Sequence, residues 1–116
     1  MKRDMDLIRL QLLCVEGEEP MPELNNYTEG QRICHMALCI EAGLVDGVVR
    51  KNEIGEPNGC VAIRLTWKGH EFLDAARNDT IWKKALGHIK KAGVQVTLPV
   101  LEEVLKKAAK ELLGLQ

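Results

Sequence analysis

The chain is 116 residues and 13.0 kDa, with 46% hydrophobic and 28% charged residues, which fits one globular domain and excludes a disordered chain. Its formal net charge of −1 excludes the strongly basic balance of a tight DNA binder. No apolar run approaches the roughly 20 residues needed to cross a bilayer, and Lys2, Arg3, Asp4, Asp6 and Arg9 interrupt any secretory h-region, so a cytoplasmic protein with no membrane role is expected.

Asp4 or Asp6 can cap a first helix whose Leu7, Ile8, Leu10, Leu12, Cys14 and Val15 cover most of its circumference. A helix that apolar must be nearly surrounded. Gly17, Glu18, Glu19, Pro20 and Pro22 then form an acidic, helix-breaking connector, and Leu24 to Tyr27 reads as a short strand or extended segment. Thr28 and Gln31 make a capping box for a helix running to about Ala42. On that helix Ile33, Met36, Ala37 and Ile40 share one side with the following Leu44, while Thr28, Gln31, Arg32, His35, Cys39 and Ala42 share the opposite one. Gly43 supplies the left-handed stop.

Leu44 to Lys51 and Cys60 to Leu65 are rich in Val and Ile and read as a hairpin, with Val61, Ile63 and Leu65 as its buried face. Its tip is Asn52 to Gly59, where Gly55, Pro57 and Asn58-Gly59 are turn formers. Thr66 stands at an N-cap position, and Gly69, Phe72, Leu73 and Ala76 then recur at helical spacing. Asn78 and Asp79 offer a cap for a helix ending near Gly93, with Ile81, Trp82, Ala85 and Ile89 on one face and Lys83, Lys84, Lys90 and Lys91 on the other. Leu98-Pro99 opens a last helix striped by Leu101, Val104, Leu105, Ala108 and Leu112, with Gly114 as its stop.

The order helix, Glu41-Ala-Gly-Leu-Val-Asp-Gly47, ribbon, Leu65-Thr-Trp-Lys-Gly-His-Glu-Phe-Leu-Asp74 resembles winged-helix proteins. In those proteins a recognition helix ends in a Gly-Leu-Ile/Val step, a β-wing follows, and Leu-Thr-x-x-Gly opens the next helix. More closely, Met1-Lys-Arg-Asp-Met-Asp-Leu-Ile-Arg9, His35-Met-Ala-Leu38, the Thr66 to Asp74 segment and Asp79-Thr-Ile-Trp82 are similar to a family of short bacterial and prophage proteins of unknown function. The resemblance implies an α+β winged helix with an abbreviated helix-turn-helix, a β-wing and two additional C-terminal helices. It implies a single domain over 1–116, with a core at 1–77, the wing at 44–65 and a helical extension at 78–116. It brings no activity.

For a winged helix, the stripe Thr28, Gln31, Arg32 and His35 would face a DNA groove, and the wing residues Arg50 and Lys51 carry donors suited to guanine or phosphate. Lys83, Lys84, Lys90 and Lys91 could add phosphate contacts, although lysines equally line solvated helix backs. Glu29 and Glu41 lie close to the first stripe, so weak contact with double-stranded DNA and a protein-partner face both stay open. The α-helical stripe Leu101, Val104, Leu105, Ala108 and Leu112 reads as a homodimer interface, or else as half of an internal helical hairpin. Trp67 and Trp82 read as core or interface anchors.

Catalytic and metal chemistry find little support. Cys14, Cys34, Cys39 and Cys60 all lie in apolar segments without a Cys-x-x-Cys pair, which suits reduced core thiols. His35, His70 and His88 fall in separate helices, Gly69-His70-Glu71 lacks the second His of a His-Glu-x-x-His site, and the chain contains no serine. The expected protein is a non-enzymatic, cofactor-free and metal-free DNA-binding or transcription-regulator-like module, or alternatively a protein-interaction adaptor that keeps the fold without binding DNA.

Overall fold

The computed structural model describes residues 2–17 and 21–114, so Glu18, Glu19 and Pro20 of the acidic connector lie outside the described residues. The chain divides into two compact units, Met1–Glu71 and Phe72–Gln116, with the border inside a helix. Among the described residues there are helices and one antiparallel pair of strands, an α+β arrangement. Among the described residues no helix is long and apolar enough to cross a membrane.

In the first unit Asp4 caps α1 (Met5–Gly17), its Oδ1 accepting the Leu7 N–H at 3.2 Å. The expected extended segment at 24–27 is instead largely a 3-10 turn, Pro22–Asn26, because Pro22 suits a first helical turn and Tyr27 alone returns to extended backbone. Helix α2 (Glu29–Glu41) has both bonds of the capping box: Thr28 Oγ1 accepts from Gln31 N–H at 3.1 Å and Gln31 Oε1 from Thr28 N–H at 2.8 Å. It ends in a Schellman motif, where Gly43 at φ 77° donates to the Ile40 carbonyl and Leu44 to the Cys39 carbonyl.

The hairpin consists of β1 (Val45–Lys51) and β2 (Pro57–Leu65), so its tip is only Asn52 to Glu56. The Asn52 side chain organises that tip by accepting from Ile54 N–H and Glu56 N–H at 3.1 and 2.9 Å. Two register shifts interrupt the ladder. Between Asp46 and Gly47 the partner changes from Arg64 to Ala62, which leaves Ile63 as a bulged extra residue.

That bulge corrects the expected buried face. Helix α2 packs on the sheet face bearing Gly47, Cys60 and Ala62: a Cβ on Gly47 would stand 2.9 Å from Ile40 Cδ1, and the Cys60 thiol donates to the Ile33 carbonyl at 3.5 Å. Leu65, paired with Val45, is 3% exposed, whereas Val61 and Ile63 are 55% and 66% exposed. Strict alternation would put all three on one side, but the extra residue resets the phase between Val61 and Leu65. The core of this unit is Leu7, Ile8 and Leu12 of α1, Ala37 and Cys39 of α2, and Leu44, Val45 and Leu65.

The second unit contains the end of α3 (Trp67–Ala76), α4 (Asp79–Ala92) and α5 (Leu98–Leu112). Asn78 and Thr97 cap α4 and α5 through their side-chain oxygens, and Gly93 at φ 71° closes α4. Phe72 and Trp82 meet edge to face at 6.4 Å and 86°. Helices α4 and α5 pack on each other, with Trp82, Ala85 and Ile89 buried on one and Leu101, Leu105 and Ala108 on the other. The expected dimer stripe is thus spent inside the chain. Leu101 and Leu105 are fully buried, Val104 is half-buried, and only Leu112 is well exposed. The five-residue link after α4 lets the stripe find its apolar partner within the same polypeptide.

Candidate interaction surface

Along α2 the residues expected to read DNA differ in their surroundings. Thr28 and Gln31 satisfy each other's backbone in the capping box. His35 is 2% exposed, and both ring nitrogens are occupied: Nδ1 lies 2.8 Å from the Gln31 carbonyl oxygen and Nε2 lies 2.9 Å from the Asp4 backbone N. The Asp4 N–H can only donate, so Nε2 accepts and Nδ1 carries the proton. His35 therefore locks the start of α1 onto α2, with both ring nitrogens used in doing so. The Gln11 amide adds a second tie, donating to the Arg32 carbonyl at 2.8 Å.

Arg32 is half-buried and its Nε finds no hydrogen-bond partner. Its side chain borders a shallow depression with Glu29, Ile33, Met36, Cys60 and Ala62. What α2 exposes is Glu29, Gly30, Gln31 and Glu41, an acidic rather than basic rim. Burial pushes the Cys39 thiol up to about 12 and also raises that of Cys60, which favours the protonated form at both.

The Leu-Thr-Trp-Lys-Gly segment has a mechanical explanation. The Thr66 hydroxyl donates to the Gly43 carbonyl and accepts from Gly69 N–H, the latter at 3.0 Å, while Thr66 N–H donates to the Leu44 carbonyl at 3.0 Å. Lys68 Nζ donates to the Ala42 carbonyl at 3.2 Å. One threonine thus caps α3 and takes up the carbonyls of Gly43 and Leu44, between α2 and β1. Gly69 lies so close to the Leu44 carbonyl that any Cβ would collide with it. These residues latch the two ends of the hairpin to the neighbouring helices.

Of the basic candidates, Arg50 lays its guanidinium over Gly59, where a Cβ would stand 2.9 Å from a terminal nitrogen, and Lys51 is exposed beside it. On α4, Lys83, Lys90 and Lys91 are exposed, whereas Lys84 pairs with Glu111 at 2.8 Å. His70 is exposed, with Nδ1 3.7 Å from a Glu16 oxygen.

The surface that stands out is the outer side of the hairpin. Val48 and Val61 face each other across the ladder at 56% and 55% exposure, Ile63 follows at 66%, and Trp67, two residues past the end of β2, is 80% exposed. The Arg64–Asp46 pair at 2.7 Å joins the strands on this same side. Val61 and Ile63 read as a buried face in the sequence, because a Val/Ile alternation signals a half-buried strand without saying which half. The one available signal was Gly47, whose missing side chain suits a closely covered inner face.

A family profile described as a hypothetical protein, DUF2513, matches residues 2–95. The chain belongs to that family. It is also 30% identical over 98% of its length to an uncharacterised protein of Haemophilus influenzae, which the match covers in full. No solved structure matches the chain.

Proposed function

We propose that this protein is a non-enzymatic, cytoplasmic protein-interaction adaptor of winged-helix type, which docks a partner protein on the outer face of its β-wing instead of reading DNA with α2. The observation that carries this reading is the exposure of Val48, Val61 and Ile63, each more than half exposed on one small sheet, with Trp67 exposed two residues past its end. Water-exposed apolar side chains gathered in one place are costly in a monomer and typical of binding surfaces. The order of α1, the 3-10 turn, α2, β1 and β2 fits a winged helix whose second helix is reduced to a single turn. The burial of His35, the mutual capping of Thr28 and Gln31 and the acidic rim of α2 weigh against groove reading.

Fluorescence anisotropy with mixed-sequence duplex DNA at low salt separates this reading from a DNA-binding regulator. The adaptor reading expects no binding at tens of micromolar protein. Binding whose log K falls with log salt at a slope of about −4 to −5, and which weakens on Arg32→Ala or Lys90→Ala, would overturn it. In parallel, bis-ANS fluorescence should drop in a Val61→Asp, Ile63→Asp variant whose circular dichroism is unchanged. Equal dye binding by that variant would move the apolar surface elsewhere.

A further inference from the structure

The second unit contains a cleft of about 290 Å³ between α4, the link after it and α5. Its apolar lining is made of small or short side chains: Ile89 and Ala92 of α4, Val94 of the link, and Val100, Val104 and Ala108 of α5. Val94, at the outer wall, is 53% exposed. The walls are therefore aliphatic, while the mouth is charged. His88 from α4 and Lys107 and Glu111 from α5 stand there.

The mouth is not electrically balanced. Glu111 is held at 2.8 Å by Lys84, and that neighbour first, with His88 and Lys107 behind it, keeps the carboxyl below its ordinary range. His88 and Lys107 have no hydrogen bond or short ion pair of their own among the described residues, so donors remain beside an apolar slot. A slot near the lower limit of ligand pockets, about 300 Å³, suits a small occupant rather than a helix or folded domain. Aliphatic walls ask for an alkyl chain, and donors at one end ask for an anion.

We infer that this cleft binds a free medium-chain aliphatic monocarboxylate, its chain lying against Ile89, Val94, Val100 and Val104 and its carboxylate held between His88 and Lys107. The site is separate from the hairpin face, so either reading can fail alone.

Methyl-resolved NMR of the full chain, titrated with octanoate, 1-octanol and acetate, tests it. Octanoate should give saturable shifts at Val94, Val100 and Val104, bind more tightly than octanol, and leave acetate without effect at the same concentrations. Lys107→Gln should weaken octanoate by about two- to fivefold, the size expected of a solvent-exposed charge contact. Val104→Phe should fill the slot and abolish the shifts; Val94→Asp, at an exposed position, keeps the fold and should do the same. No saturation in the low millimolar range, octanol binding as tightly as octanoate, or an unchanged Lys107→Gln variant would each overturn the assignment. So would shifts gathered at Val48, Val61 and Ile63, which would mark adsorption of an amphiphile on the hairpin.

Discussion

Leu101, Leu105 and Ala108 on α5 and Val48, Val61 and Ile63 on the hairpin are similar side chains under opposite conditions. The first three are at most 2% exposed; the last three are all above half exposed. A helix turned back on its predecessor by a short link meets a second apolar stripe immediately, so α4 and α5 bury each other. A two-stranded sheet has two faces and, in this unit, α2 lies on the one carrying Gly47, Cys60 and Ala62. The lesson is that an apolar pattern reports a need for a partner. It does not report whether the chain itself supplies one.

The strongest test of this contrast places the same charges in both regions. Leu101→Glu with Leu105→Glu buries two carboxylates among Trp82, Ala85 and Ile89 and should cost well over about 5 kcal/mol, enough to abolish the cooperative melting of the second unit. Val61→Glu with Ile63→Glu should change stability by no more than about 1 kcal/mol and should improve solubility. Thermal melts followed by circular dichroism read both. A folded α5 double variant, or an unfolded hairpin variant, would reverse the assignment of inside and outside.

A smaller effect is expected from loosening what holds the hairpin ends. Gly69→Ala drives a methyl into the Leu44 carbonyl and should cost about 1–3 kcal/mol, while Thr66→Val leaves the Gly69 N–H and the Gly43 carbonyl without the hydroxyl and should cost about 1–2 kcal/mol. Urea denaturation gives both values. If Gly69→Ala is neutral, the close approach of α3 to Leu44 is not a constraint on the fold.

The smallest effect lies at the end of the hairpin. Ile54 is 77% exposed and anchors nothing, so Ile54→Ser should shift stability by less than about 0.5 kcal/mol, and replacing Asn52 to Glu56 by Asn-Gly should lower the melting temperature only slightly. A loss of several kcal/mol in either would show that the tip is fastened down.

Much of the local architecture was readable from single residues. Thr28 with Gln31, Gly43, Thr66, Asn78, Gly93 and Leu98-Pro99 each marked a boundary that the structure places within a residue or so. The candidate sites were less readable. His35 sits on a polar stripe of α2, and nothing in its neighbours announces that the stripe turns toward α1, where the Asp4 N–H and the Gln11 amide meet it. The Leu-Thr-Trp-Lys-Gly signature carried a fold resemblance with no activity, and in the structure it fastens onto the backbone carbonyls of Ala42, Gly43 and Leu44. Of the two roles expected for Trp67, core or interface anchor, its 80% exposure excludes the core.

What the sequence by itself determined are features whose causes span a few residues: caps, stops, periodicity and the composition of the hairpin. Those depend on bonds between a side chain and a backbone group three or four positions away, so the local order of residues contains the whole cause. Which stripe is buried was decided only by tertiary structure. The bulge at Ile63 rotates Leu65 inward and leaves Val61 outward, the α4–α5 hairpin consumes the supposed dimer face, and α1 covers His35. Each of these outcomes depends on a partner far along the chain or on one residue of register, and a periodic pattern is the same before and after that choice.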